Sequence, residues 1–207
     1  MQAIYIVLLS FLCFPQKEAK PTSPLAEYGT EWNAAKYIAC NTAAKARYMS
    51  EDERQTIYIL NIARQYPALF CEKVVKPWCA QNSIDRSSEK YYGSLVQQMS
   101  TMQPLPLLQP DSVSFVSAAC HAETAGKKGY VGHNRLTAQC NKVKRFNGEC
   151  CSYGMHTPVD VVLQLLVDED VESLGHREIC LGDYKMIGVA KRDHSRYGTN
   201  SVLDLRY

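Results

Sequence analysis

The clearest periodicity in the chain begins at Ser50. Ser50-Glu51-Asp52-Glu53 has the form of a capping box, with Ser50 placed to cap a helix and Glu53 to reach back. Ile57, Leu60 and Ala63 follow at helical spacing, Asn61 and Arg64 share one surface a turn apart, and Pro67 ends the helix before a further turn through Leu69 and Phe70. Pro104–Pro110 (PLPLLQP) reads as extended. Asp111 then caps a helix through Val113, Val116 and Cys120 to about Thr124, which Gly126 is expected to stop. Between Gly129 and Gly154 the chain is glycine-punctuated and irregular, with one short strand near Cys150–Tyr153. Thr157-Pro158-Val159-Asp160 opens another helix with proline at its first position. That helix runs through Val161, Val162, Leu165 and Leu166 to Glu169, and Ser173 is expected to cap a short turn carrying His176 and Arg177. A hairpin closes the chain: Tyr184–Lys191, a turn over His194–Asn200, then Val202–Tyr207. Upstream, residues 17–30 read as a linker, and a short helix is expected within Trp32–Arg47. No internal repeat occurs. This order predicts an α+β domain with helices packed on a small antiparallel sheet.

The N-terminus departs from this pattern. Ala3 to Phe14 is an uninterrupted apolar run, too short to span a bilayer and suited to the core of a signal peptide. Pro15 breaks it, and cleavage near Ala19 is expected, although no Lys or Arg precedes the run. The expected organisation is a signal peptide over 1–19, a linker and N-terminal extension over 20–48, and one domain over 49–207. Cys13 raises a lipoprotein anchor, which the bulky Ser10-Phe11-Leu12 argues against. The mature protein is expected to be secreted or periplasmic, with no transmembrane span. With 207 residues, 46% hydrophobic and 21% charged, the chain suits one ordinary globular domain. A net charge of +2 and scattered basic residues, such as Lys127-Lys128 and Lys142-Lys144-Arg145, give no nucleic-acid patch.

Nine cysteines sharpen the export reading. Setting Cys13 aside leaves Cys40, Cys71, Cys79, Cys120, Cys140, Cys150, Cys151 and Cys180, an even set that suggests disulfides in an exported chain. Their connectivity stays open. Cys71 and Cys79 are near enough in sequence to close a local loop, and adjacent Cys150 and Cys151 should reach different partners. No C-x-x-C occurs, which disfavours structural zinc on cysteine.

All five histidines follow residue 120. His121-Ala122-Glu123 has the opening of a zinc-deaminase signature but lacks the downstream P-C-x-x-C, so His121 reads as a core helix residue. Gly132-His133 lies on a glycine-flanked loop, Glu149 precedes the paired cysteines, and His176 sits near a helix start, where the helix dipole favours a neutral imidazole. Singly, each reads more readily as structural. Together they make a mixed nitrogen and oxygen set suited to zinc or another first-row divalent ion, or equally to a metal-free hydrogen-bonded network. The chain has neither H-E-x-x-H nor G-x-S-x-G.

These pieces, in this order, resemble the CAP superfamily of cysteine-rich secretory, venom-antigen and pathogenesis-related proteins, above all its bacterial secreted SCP-like branch. The resemblance rests on Leu60–Arg64 with Pro67 and Phe70, Ala119–Ala122 with Gly132-His133, Gly148-Glu149, Leu174–Arg177 and Ile187–Ala190. It implies an α-β-α sandwich around a cleft of two histidines and two acids that binds a divalent metal in several members. Carried over, the cleft set is His133, His176, Glu149 and Asp168, with Glu169 as the alternative fourth acid. The implied function is a binding module for one divalent cation, zinc foremost, or for a small apolar or lipid-like ligand or an extracellular protein. The enzyme alternative is a metal-assisted hydrolase with Glu149 as general base; a metal-free structural or host-interaction domain is the third reading. Two features depart from the family: Cys150 replaces the asparagine after the glutamate, and Leu163–Val167 lacks the usual tryptophan.

Overall fold

The computed structural model describes residues 22–207. The apolar run, the expected cleavage point and Cys13 lie outside the described residues.

The fold is α+β, with a four-stranded mixed sheet between helices. Its helices are α1 (Ala35–Ile38), α2 (Glu51–Gln65), α3 (Pro67–Phe70), α4 (Lys76–Gln81), α5 (Ser94–Thr101), α6 (Ser112–Lys128), α7 (Ala138–Val143), α8 (Pro158–Val167) and α9 (Gly175–Cys180). Its strands are β1 (Gln109–Pro110), β2 (Gly148–Tyr153), β3 (Met186–His194) and β4 (Gly198–Arg206), ordered β1-β3-β4-β2. The β2, β3 and β4 pairings are antiparallel, as expected, but β1 runs parallel to β3. The extended Pro104–Pro110 segment supplies β1, and Pro110, which has no N–H to donate, sits where prolines belong, on an edge.

Strand alternation sorts the core onto two faces. Ile187, Val189, Leu203, Leu205 and Cys150 join α2 and α8 in the main core, while Ala190, Val202 and Cys151 face Ala118 and Ala122 of α6. The capping box at Ser50 forms as the sequence predicts, and Asp111 and Thr157 cap α6 and α8 through their side chains. Helix α6 passes through Gly126 and stops at Gly129, whose φ of 61° is the left-handed conformation glycine favours. Gly126 serves packing instead: a Cβ there would collide with the Asp193 carbonyl of β3.

Two expectations about the N-terminal half and the cysteines change. Residues 22–48 are packed rather than loose: Leu25 and Trp32 are fully buried, and Tyr37, Cys40, Ala43 and Met49 join the same core. One disulfide joins Cys120 to Cys140, while Cys40, Cys71, Cys79, Cys150, Cys151 and Cys180 are free and buried. Cys71 and Cys79 do not close a loop, because they lie on one continuous helical run from Pro67 to Gln81. Eight residues of helix rise about 12 Å, twice the Cα separation a disulfide accepts. Cys150 and Cys151 do face opposite sides of β2, Cys150 toward Cys180 and Cys151 toward His133.

Candidate metal and ligand cleft

His133 is placed by a clamped peptide. After α6 ends at Gly129, the Gly132 N–H donates to the Tyr153 hydroxyl, and His121 Nε2 donates to the Gly132 carbonyl. Gly132 takes a φ of 124°, open only to glycine in practice, and the chain turns so that His133 meets strand β2. There His133 Nδ1 donates to Glu149 Oε1 at 2.9 Å.

His176 is placed from the other side. Helix α8 ends at Val167 rather than at Glu169, and Asp168 caps it in a left-handed conformation with φ of 54°. Its Oδ2 accepts from the backbone N–H groups of His176 and Arg177, and its Oδ1 accepts from His176 Nδ1 at 2.7 Å. Asp168 therefore does the capping expected of Ser173, and α9 has no cap from its own N-cap side chain. Between Asp168 and Glu169, Asp168 is the acid bonded to the histidine. Glu169 instead accepts from the Asp85 backbone and lies at the rim of the same cleft.

The two histidine–carboxylate pairs come together, with ring centroids of His133 and His176 6.2 Å apart. Each acid bonds Nδ1, which fixes the tautomer, and neither Nε2 has a hydrogen-bond partner among the described residues. Beside them opens a cleft of about 270 Å³, lined by Val131, Cys151, Tyr153, Leu165, Asp168 and His176 among others.

Behind Glu149 lies a buried charge cluster. Arg135, only 9% exposed, donates to Glu149 Oε2 at 2.5 Å and to Asp204 Oδ2 at 3.4 Å. Glu149 and Asp204 are direct cross-strand partners on β2 and β4, so both carboxyls project toward the α6 face. Burial alone would push Glu149 up, but hydrogen bonds from His133, Arg135 and Asp204 prevail and hold it down at about 2. Burial, then the Glu149 charge, pushes Asp204 up to about 9, so it holds the proton of the pair. On the opposite side the buried Arg177 guanidinium donates to the carbonyls of Leu166, Val167 and Tyr91, locking the end of α8 that carries Asp168.

His121, Glu149 and Cys151 form a second, buried group whose donor atoms lie within 4.8 Å of one another and which can hold a metal ion. Sequence reasoning missed this group, along with Arg135, Arg177 and Asp204. Asp204 had a visible signal, being the lone acid in the apolar strand Val202-Leu203-Asp204-Leu205. His121 drew notice only for its H-x-E triplet and read as a core helix residue, since its place beside Glu149 and Cys151 depends on how α6 faces β2. Among the described residues no helix is long and apolar enough to cross a membrane. Compared with known proteins, the chain matches no family model and no curated protein.

Proposed function

We propose that this chain is a secreted binding module of the CAP type, whose cleft holds one divalent cation, zinc foremost, through His133 and His176. The observation that carries this reading is the approach of two carboxylate-backed imidazoles from separate segments, His133–Glu149 and His176–Asp168, beside a cleft that His176 and Asp168 line. The donor set fits a divalent ion: each ring has Nδ1 fixed by a carboxylate and Nε2 free, the arrangement in which histidines ligate metals. Glu149 and Asp168 then support the ligands rather than bind directly, because their oxygens already accept from His133, Arg135, His176 and Arg177. Bound there, a cation supplies an open Lewis-acidic position for a ligand oxygen. Val131 and Leu165 give the same cleft apolar walls for a small apolar or lipid-like ligand.

The hydrolase alternative draws no support from Glu149. A carboxylate held at about 2 and occupied by three donors is a weak base near neutral pH. The test is elemental analysis and zinc titration of the purified mature protein, followed by thermal melts. Bound divalent ion and a Tm raised by zinc are expected, with one equivalent of that ion lost in His133→Ala and in His176→Ala. No stoichiometric ion, with a Tm indifferent to zinc, would leave a metal-free domain.

A further inference from the structure

We infer that His121, Cys151 and Glu149 form a separate, buried site for a thiophilic cation of the zinc, cobalt or cadmium class. Two of its three donors, His121 and Cys151, belong to neither histidine–carboxylate pair, and the third, Glu149, is shared with the His133 pair.

The first observation is an unsatisfied nitrogen. His121 is fully buried, its Nε2–H is taken by the Gly132 carbonyl at 2.8 Å, and its Nδ1 has no hydrogen-bond partner among the described residues. A buried polar atom without a partner costs on the order of 1–3 kcal/mol, so such atoms call for an explanation. A ring whose other nitrogen donates to a backbone carbonyl presents a lone pair at Nδ1, the usual orientation of a metal-bound histidine.

The second observation is what surrounds that nitrogen. Cys151 is a free thiol on the α6 face of β2, and Glu149 is two residues before it on the same face. Donor atoms of all three residues fall within 4.8 Å of one another, a spread that one cation can close with small side-chain shifts. His133 Nδ1 lies 2.9 Å from Glu149 Oε1, to which it donates, and 3.7 Å from Cys151 Sγ. A sulfur, nitrogen and oxygen set selects zinc-like ions over magnesium or calcium. Cys151 also lines the cleft that contains His176, which gives the ion an entry route.

Loading is a proton-for-metal exchange. The Cys151 S–H bond breaks, a sulfur–metal bond forms, and the thiol proton leaves to solvent through the cleft. The thiolate offsets one charge of the cation, and Glu149 Oε1 turns from His133 to the cation while Oε2 stays paired with Arg135. Because Glu149 is shared, a loaded inner site withdraws Glu149 Oε1 from His133.

Cobalt(II) titration of the protein, purified under inert gas, tests the site through the thiolate-to-cobalt charge-transfer band in the near ultraviolet. One equivalent of cobalt should give the band. It should vanish in Cys151→Ser and in His121→Asn, and persist in Cys150→Ser and in His176→Ala. Absence of the band from the unsubstituted protein, or its survival in Cys151→Ser, overturns the inner site. Loss of the band in His176→Ala also overturns it, by assigning the sulfur to the outer cleft. Cobalt binding without a thiolate band, dependent on His176, would uphold the outer reading alone. Should Cys151→Ser not fold, cadmium–proton correlation NMR on the unsubstituted protein reads the same ligands. Coupling to the Cys151 Hβ protons is the expected result, and its absence refutes the site.

Discussion

Asp168 does three things with one carboxylate: it caps α9, fixes the His176 ring and ends α8 in a left-handed turn. Asn tolerates that conformation, so Asp168→Asn isolates the charge from the backbone. The variant should fold, lose about 1 kcal/mol of stability and bind zinc about 10- to 100-fold more weakly, as read by titration calorimetry. Unchanged affinity would mean that Asp168 is only a cap. Asp204 gives a pH prediction. Its folded pKa of about 9 lies above the unfolded value near 3.9, so the native state holds a proton that the unfolded chain releases. That contribution is fully present below about pH 4 and is lost as pH rises toward 9. Stability should therefore fall across this window, by no more than about 1.4 kcal/mol per pH unit, and Asp204→Asn should flatten the slope. Glu149 works in the opposite sense, being lowered to about 2, so its contribution is lost as pH falls below about 4. Denaturant melts from pH 3 to 9 separate the two limbs, and a wild-type curve level between pH 5 and 9 would refute the Asp204 assignment. At this scale His133, Glu149 and His176 each follow a glycine, but only the family resemblance gathered them into one set with Asp168. It could not show that the acids bond Nδ1, because that depends on side-chain direction.

At the scale of elements, α6 and its exit loop matter most. The helix lies directly on β3 because Gly126 and Gly188 remove the side chains that would separate them. This also explains why the sequence placed the helix end three residues early: a glycine that stops a helix and one that packs against a strand look alike in one dimension. The disulfide Cys120–Cys140 bridges α6 to α7 across the loop that carries His133 and Arg135. Closing a loop of this length contributes about 3 kcal/mol. Cys120→Ser with Cys140→Ser should lower stability by about that amount and weaken zinc binding, since the loop is then held mainly by Tyr153, His121 and Arg135. Calorimetric melting and zinc titration of the double variant check both. An unchanged zinc affinity would show that those hydrogen bonds fix His133 by themselves. The helix N-caps and the terminal hairpin were legible because their signals are local. The pairing of β1 with β3 was not, since a two-residue parallel contact depends on where a distant strand arrives.

For the whole molecule, the largest surprise is the N-terminal segment. Its Pro, Ser and Thr content reads as a linker, yet it closes one end of the main core. Ser23 is tied to Asn33, Leu25 and Trp32 are fully buried, and Trp32 packs on Tyr37, which packs in turn on Tyr66 at the end of α2. From there Asn61 carries the connection inward: its amide bonds Cys40, Thr42 and Leu108, so one α2 side chain joins the N-terminal segment to the approach of β1. Arg64, a turn later, bonds carbonyls of Pro106, Cys180, Gly182 and Tyr184, and so reaches the end of α9. The His176 half of the cleft is thus braced, through α2, against residues that look dispensable in sequence. Trp32→Ala removes the largest side chain of that brace and should cost about 3–5 kcal/mol, a drop in Tm on the order of 10 °C for a chain of this size. Removal of residues 22–48 should leave a protein that melts at lower temperature still and binds zinc more weakly. A truncated protein with the parent Tm and zinc affinity would show that the cleft is independent of the segment, and that burial of Trp32 contributes nothing to the domain.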